Sequence, residues 1–274
     1  MKYIVAVSGG VDSVVLLSMM VKAAKPEDVL HVAHFDHGIR EDSLDDERFV
    51  AELANKYGLV YSGKREELGK NASEALARHR RYAFLRELAQ QHDAKIVTAH
   101  HLDDLVETVV INLKRGTGWR GLAALNSDVM RPLIDIPKNQ LVAYAQANGL
   151  TWHEDSTNAS DVYLRNRVRR QASTVSEDTK RQLRALHSHQ KYLKTAIEKE
   201  TIQLIGSGPE YNRHLFIQVS QPVALECLRH ITKGMLTRPQ LQRALLAIKT
   251  ATAGSIFDAG AGVNIRFSTR HFSL

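Results

Sequence analysis

The first 135 residues alternate short apolar runs with stretches of helical periodicity, and this alternation constrains the fold more than any other feature. Strands that alternate with helices are typical of βαβ units, which build parallel sheets covered by helices on both faces. The sequence therefore predicts an α/β fold with a parallel, doubly wound sheet. The predicted strands cover residues 3–7, 29–35, 59–61, 96–99 and 130–134.

Beyond residue 170 the pattern changes to longer helical periods and a basic composition. A chain of 274 residues has room for two domains. We therefore expect an α/β domain over 1–175 and a smaller, mainly helical domain over 176–274. The elements predicted in the second domain are a long helix over 176–205, a short strand over 215–219, helices over 222–233 and 239–250, and a terminal hairpin from Gly254.

Charge is distributed unevenly along the chain. Residues 1–150 hold 19 Lys and Arg against 20 Asp and Glu, whereas residues 151–274 hold 18 against 10, so the second part supplies the formal net charge of +7. Such a basic region indicates either a polyanionic partner, most commonly nucleic acid, or an ordinary solvated surface.

Several classes of protein are excluded by composition. The single cysteine, Cys227, excludes an intramolecular disulfide, a four-cysteine zinc site and a cysteine-held cluster. No apolar run reaches the ~18 residues of a membrane span. The opening residues lack the charged, apolar and cleavage regions of a signal peptide, so we expect a cytoplasmic protein.

The turn between the first strand and the first helix is the most informative segment for function. Its glycines let the backbone approach a ligand closely, and the start of a helix attracts anions. No lysine follows the glycines, so the turn differs from the Walker loop, and Asp12 suits a phosphate site if a divalent cation such as Mg²⁺ bridges it to the phosphates. The alternative is a tight turn with an acid near a helix N-cap. The segment consists of Ser8, Gly9, Gly10, Val11, Asp12 and Ser13.

A second polar cluster follows the fourth predicted strand and holds Asp103, Asp104 and Glu107. Residues three or four apart share a face of a helix, so the acids would lie together. If strands one and four are neighbours where the sheet order reverses, both turns face one crevice. Several acids beside an anion site need a metal or a basic substrate to balance them. The alternative is an acidic, solvated first turn favoured by the helix dipole.

These motifs resemble a known group of enzymes. The first turn is similar to the SGGxDS loop of the N-type ATP pyrophosphatase (PP-loop) superfamily, and the ordered set resembles the tRNA(Ile)-lysidine synthetase family over roughly residues 3–170. The matching segments are SGGVDS at 8–13, HFDHGIR at 34–40, NASEALAR at 71–78, AHHLDDLVET at 99–108, RGTG at 115–118, RPL at 131–133, EDSTN at 154–158 and RNRVR at 165–169.

The resemblance implies a reaction and its reactants. Members of the family adenylate the C2 oxygen of the wobble cytidine in CAU-anticodon tRNA(Ile), and the ε-amine of free lysine then displaces AMP to give lysidine. ATP and Mg²⁺ are expected, with residues 8–13 holding the pyrophosphate, Asp12 meeting Mg²⁺, and His34 near the adenine.

The resemblance also assigns roles around the acids. Asp104 and Glu107 would receive the ammonium groups of the lysine substrate, and Arg78 or Arg81 its carboxylate or the activated base. Something must take a proton from the amine before it attacks, and the candidates are His100, His101 and Asp103.

A basic stretch near the domain boundary is the predicted contact with tRNA. Two rival hypotheses remain open: another tRNA-modifying enzyme of the superfamily, such as a thiolase with an external sulfur donor, and a non-catalytic nucleotide- or RNA-binding module. The sequence also leaves open whether the chain forms a homodimer. The candidate tRNA-binding residues are Arg115, Arg165, Arg167, Arg169, Arg181 and Arg184.

Overall fold

The computed structural model describes residues 1–38, 43–69, 72–123, 125, 128–153, 175–206 and 208–274. The chain divides into two compact units, residues 1–190 and 191–274. Within the described ranges, no helix has both the length and the apolar character needed to cross a bilayer.

The first unit is built on a four-stranded parallel sheet with the strand order β3-β2-β1-β4. Strand β1 therefore lies between β2 and β4, with Tyr3 opposite Leu30 on one side and Lys95 on the other. Because β1 and β4 are neighbours, the condition under which the turns after them face one crevice is met. The strands are β1 (Lys2–Ala6), β2 (Val29–Asp36), β3 (Val60–Arg65) and β4 (Lys95–Val97).

Helices cover both faces of this sheet, as a doubly wound fold requires. Successive strand residues point to opposite faces, so Val5 packs in one core cluster with Leu17 and Leu141, whereas Ile4 packs in another with Leu85. The helices are α1 (Val11–Ala23), α2 (Ser43–Lys56), α3 (Glu74–His92), α4 (Leu102–Lys114), α5 (Trp119–Leu122), α6 (Lys138–Ala147) and the first part of α7 (Glu177–Ile205), which continues into the second unit.

Two local predictions in this unit differ from the structure. The predicted fifth strand over 130–134 is reduced to a single parallel bridge between Val97 and Met130, because Pro132 has no N–H with which to extend the ladder. Helix α3 is capped by Ser73, whose hydroxyl accepts a hydrogen bond from the Leu76 N–H at 3.2 Å, while the predicted cap, Asn71, lies outside the described residues.

The described part of the second unit combines a four-stranded antiparallel sheet with the end of α7 and three further helices. The predicted terminal hairpin, β6 and β7, is extended by β8 and β5 in the order β5-β8-β7-β6. Its core includes the fully buried Phe216 and Leu228. The elements are β5 (Glu210–Asn212), α8 (Arg213–Gln218), α9 (Gln221–Ile231), α10 (Arg238–Thr250), β6 (Ile256–Gly260), β7 (Val263–Phe267) and β8 (His271–Ser273).

The strand predicted over 215–219 is wrong, because this segment belongs to helix α8. The Asn212 side chain caps the helix by accepting a hydrogen bond from the His214 N–H at 2.8 Å. The first helical residue, Arg213, is buried and donates to three backbone carbonyl oxygens, those of Ile248 (2.9 Å), Ala251 (2.7 Å) and Ser268 (2.9 Å). Arg213 therefore ties α8 to the segments around it.

Candidate active site

The glycine turn joins β1 to α1 and presents the amino end of the helix. Gly9 has a φ of +94°, in the left-handed region that a β-carbon disfavours. The turn is closed by hydrogen bonds from the Ser8 N–H to the Ser13 hydroxyl (3.1 Å) and from that hydroxyl to the Gly10 carbonyl (2.8 Å). A helix amino end exposed by a compact glycine turn suits an anionic ligand.

Asp12 lies at the start of α1 and is held by a lysine at the start of α6, 126 positions later in the sequence. The Nζ atom of Lys138 donates to both carboxylate oxygens of Asp12, at 2.5 and 2.6 Å. The His101 Nε2 atom lies 3.6 Å from the same carboxylate. Burial alone would raise the pKa of Asp12, but His101 and Lys138 together lower it below its ordinary value, so Asp12 is a carboxylate at neutral pH.

His101 joins the two predicted clusters in one cleft. It precedes α4, and its buried ring lies 3.4 Å from an oxygen of Asp104 and 3.7 Å from one of Asp103. Burial lowers the pKa of His101, but hydrogen bonding to Asp12 and the charges of Asp12 and Asp104 raise it overall. The prediction that the turns after β1 and β4 face one crevice is confirmed.

Asp103 connects three helices through its carboxylate. One oxygen accepts from the backbone N–H of Lys138 at the start of α6 (2.8 Å), and the other accepts from the Lys180 Nζ of α7 (2.6 Å). Lys180 is buried and also donates to Glu177. Burial would raise the pKa of Asp103, but Lys180 and the Lys138 N–H lower it. The carboxylate predicted as a proton acceptor thus also positions α6 and α7.

The acids further along α4 are buried, which contradicts the alternative of a solvated first turn. Asp104 is 9% exposed and Glu107 is 2% exposed. An oxygen of Asp104 accepts from the His101 N–H at 3.0 Å and so caps α4. Buried charge is costly unless it is compensated, and His101 provides such compensation for Asp104.

His100 is neutral at physiological pH. Burial lowers its pKa most, the Asp104 carboxylate opposes this, and the positive charges of Arg131, Arg78 and Arg81 lower it further, to about 3. Arg78 and Arg81, the two arginines predicted to bind an anion, therefore lower the pKa of His100 through their charge. A group with this pKa accepts a proton poorly at neutral pH.

Three further residues were predicted to contact ligands: Arg78, Arg81 and His34. The guanidinium groups of Arg78 and Arg81 stack near the Tyr82 ring, at 4.9 and 5.6 Å from its centroid. His34 is buried at the end of β2, and its Nδ1 is 2.9 Å from the carbonyl oxygen of Val7. His34 thus lies next to the residue that leads into the glycine turn.

The predicted tRNA-binding arginines occupy different environments. Arg181 is exposed on α7, with Asp178 at 3.7 Å, whereas Arg184 is paired with Asp135. Arg115 is an exposed residue that ends α4. Three of the arginines lie outside the described residues: Arg165, Arg167 and Arg169.

Sequence reasoning missed Lys138, and it placed Lys180 only in the basic stretch expected to contact tRNA, whereas the structure buries Lys180 against Asp103. A signal for Lys138 was present, because a lysine in the first turn of a helix faces the positive end of the helix dipole, which costs about 0.3–1 kcal/mol. A cation in that position is unexpected from helix stability and points to a partner elsewhere. Lys180 carried no comparable signal, since it lies within a predicted basic helix.

The cleft is compatible with a magnesium ion bound together with phosphates. Among the described residues no cluster of three or more His, Cys, Asp or Glu could hold a metal alone. Mg²⁺ usually takes one or two carboxylates and completes its shell with phosphate and water oxygens. Asp12, a carboxylate at the phosphate-type turn that already attracts a cation, fits this donor set.

Comparison with known proteins agrees with this geometry. A curated tRNA(Ile)-lysidine synthase from Enterococcus faecalis is 39% identical over 179 residues, which are 61% of this chain and 39% of the relative. The enzyme of the same name from Thermus thermophilus is 41% identical over 174 residues, covering 61% of this chain and 34% of the relative. The resemblance found in the motifs is confirmed. The chain spans between a third and two fifths of the length of these relatives.

A solved structure and a family model locate the shared domain. The U34-tRNA thiolase NcsA from Methanococcus maripaludis, with its 4Fe–4S cluster, superposes with a TM-score of 0.61 at 19% identity, covering 70% of this chain and 72% of that one. At this identity the likeness concerns the fold. The model of the PP-loop domain matches residues 1–175, which include the glycine turn, α4 and α6, and the chain therefore belongs to the PP-loop family.

Proposed function

We propose that this protein is a tRNA(Ile)-lysidine synthetase, which ligates lysine to C2 of the wobble cytidine of CAU-anticodon tRNA(Ile) through an adenylated base. Membership of the PP-loop family implies ATP binding. The names of the curated relatives support the choice of tRNA modification and of this ligase within the family.

The observation that carries the proposal is the meeting of the glycine turn and the α4 acids in one cleft. Asp12 of the turn and Asp104 of α4 both lie within 3.6 Å of the same His101 nitrogen. An enzyme that joins an activated base to an amine needs its phosphate site and its amine site side by side. The base must be adenylated from the ATP site and then attacked by the amine at the same C2 carbon.

The proposed ATP site consists of residues 8–13, with His34 near the adenine. Its serine hydroxyls and the helix amino end would bind the pyrophosphate that leaves when the base is adenylated. Asp12 would hold Mg²⁺, whose charge neutralises that of the phosphates.

The proposed lysine site consists of Asp104 and Glu107, with Arg81 for the carboxylate of the lysine. Their burial strengthens attraction for an ammonium group, since the local dielectric is low. Arg78 would contact the activated base, where a planar fork of donors is useful. Of the three groups predicted to take the amine proton, His100 is disfavoured by its pKa of about 3, so His101 and Asp103 remain the candidates.

The proposed tRNA contacts are the exposed Arg115 and Arg181, Arg184, and the arginines 165, 167 and 169. In this proposal residues 1–175 form the catalytic domain and residues 176–274 a basic tRNA-binding domain, which holds 14 Lys and Arg against 7 Asp and Glu. Positive groups along a helix suit the phosphate backbone of tRNA.

The direct test is mass spectrometry of nucleosides from CAU-anticodon tRNA(Ile) after incubation with the protein, ATP, Mg²⁺ and lysine. We expect lysidine to form only when both ATP and lysine are present, with release of AMP. Asp12→Ala should lower ATP turnover about 100-fold or more, since it removes the carboxylate that would hold Mg²⁺ at the reacting phosphates.

The matched control is Asp45→Ala, which removes an exposed carboxylate of α2 paired with Arg48 and should leave turnover unchanged. A thiolated nucleoside formed with a sulfur donor would replace the proposal by the thiolase hypothesis. Binding of ATP and tRNA without any AMP release would support the non-catalytic module.

A further inference from the structure

Lys138 supplies to the glycine turn the cation that the turn lacks in its own sequence. The segment 8–13 contains no lysine, yet the Nζ atom of Lys138 lies 2.5 and 2.6 Å from the oxygens of Asp12. The two residues are 126 positions apart in sequence. The fold therefore brings an ammonium group to the amino end of α1.

The position of Lys138 is set by the packing of α6. The inner face of this helix is anchored by Leu141 and Ala145, which are buried in the same core cluster as α1. At its start, the Lys138 N–H is held by Asp103 at 2.8 Å. The stem of the lysine thus leaves the backbone at a fixed point beside the turn, while its side chain remains 40% exposed to the cleft.

Neither helix stability nor the ion pair explains why a lysine stands here. The first turn of a helix disfavours a cation, and a pair whose members are 40% and 29% exposed is weakly stabilising because water screens it. An anionic ligand at the turn does explain it. A flexible ammonium is a common partner of phosphates, which it meets as a point charge.

We propose that Lys138 is a phosphate-binding residue of the nucleotide site, which contacts the polyphosphate of ATP directly and rests on Asp12 when the nucleotide is absent. The inference deepens the proposed function, since it takes ATP as the ligand of the glycine turn. With this contact, α6 joins the glycine turn and α4 as a part of the protein that is proposed to bind a substrate.

The test is the dissociation constant of ATP, measured by calorimetry in the absence of tRNA and lysine. With Mg²⁺, Lys138→Gln should weaken ATP binding about tenfold or more, because a charge-assisted contact is lost. Lys138→Arg should restore most of the affinity. The matched control is Lys22→Gln, because Lys22 makes the equivalent contact at the other end of the same helix pair, donating to Asn148 at 2.6 Å.

Measurements in EDTA separate direct contact from an indirect effect through Asp12. Without metal, Lys138→Gln should still weaken ATP binding, whereas Asp12→Asn should not, since it removes a negative charge that repels the phosphates. Equal affinity of the wild type and Lys138→Gln in both conditions would overturn the inference. A loss confined to the Mg²⁺ condition would assign Lys138 to holding Asp12 and would also overturn it.

Chemical footprinting of the wild-type protein gives a readout that does not depend on the folding of a variant. Acetylation of surface lysines, followed by mass spectrometry, should be slowed by ATP at Lys138 and not at Lys22. Equal rates with and without ATP at Lys138, in a protein that binds ATP, would overturn the inference alone. A wild type that binds no ATP would overturn the proposed function together with it.

Discussion

The two units of the chain bury ionisable side chains in different ways. In the first unit Asp104, Glu107 and Lys180 are buried near the carboxyl ends of β1 and β4, and Lys180 is bonded to carboxylates. In the second unit Arg213 is buried, and the three hydrogen bonds described for its guanidinium go to backbone carbonyls. Charged partners that converge on a cleft indicate a ligand site, whereas carbonyl partners indicate a structural link.

This difference explains why burial of a charge is not by itself a sign of function. A guanidinium that satisfies carbonyl oxygens is compensated by the backbone and leaves nothing for a ligand. A buried carboxylate next to a histidine and a lysine can exchange those partners for a substrate. Four predictions test the contrast, starting with the largest expected effect.

Arg213→Ala should destabilise the second unit by about 4 kcal/mol, because it leaves three buried carbonyl oxygens without their donor. Hydrogen exchange of peptides from 191–274, followed by mass spectrometry, would measure the loss. ATP binding should be unchanged. The control is Arg266→Ala, an exposed arginine of β7, and a similar small effect from both variants would refute the structural role of Arg213.

Asp104→Asn should raise the lysine concentration needed for half-maximal rate about 30-fold, equivalent to about 2 kcal/mol, because an ion pair with the substrate is lost. The amide oxygen can still accept from the His101 N–H, so the cap of α4 is kept. Steady-state kinetics with lysine and ATP varied separately would check this. Equal changes for lysine and ATP would argue against a lysine site at Asp104, and Asp45→Asn is the control.

Asp103→Asn should lower stability by about 1.5 kcal/mol at neutral pH, because the bond from Lys180 loses its charged acceptor. The folded-state pKa of Asp103 is lowered from 3.8, so its stabilisation is present above that pH and is lost as the pH falls through the lowered value. The difference in melting temperature between the wild type and Asp103→Asn, measured between pH 3 and 7, should therefore become smaller towards acid pH. A difference that is independent of pH would exclude the ion pair as its cause.

Arg181→Glu should have the smallest effect, a weakening of tRNA binding by about fivefold without a change in melting temperature. Its side chain is 73% exposed, so the pair with Asp178 stabilises the fold little. Arg184→Glu should in addition lower the melting temperature, because it places a carboxylate against Asp135. Filter binding at two salt concentrations would measure the tRNA effect, and unchanged affinity in both variants would remove α7 from the proposed tRNA surface.

Much of the first unit could be predicted because its signals are local. Buried strands followed by glycine turns and amphipathic helices indicate a parallel sheet, and the adjacency of β1 and β4 then follows from a reversal of strand order. The motif residues of the turn and of α4 were found for the same reason. Each cluster is contiguous in sequence.

The errors arose where tertiary contacts decide. An apolar run as short as 215–219 does not distinguish a strand from a helix, and the cap at Asn212 together with the buried Phe216 favours the helix. Lys138 was missed because its partner, Asp12, belongs to another cluster. Ion pairs between distant segments become visible only when the helices that carry them are placed.

The pairing of α1 with α6 extends the functional constraint into the interior of the protein. Lys138 and Asn148 face Asp12 and Lys22 at the two ends of this pair, so a shift of α6 by one residue, about 1.5 Å and 100°, would move the ammonium away from the turn. Small core residues such as Ala145, which is fully buried, therefore help to set where Lys138 lies. A designer who repacks this core for stability would therefore also change the position of Lys138 relative to the glycine turn.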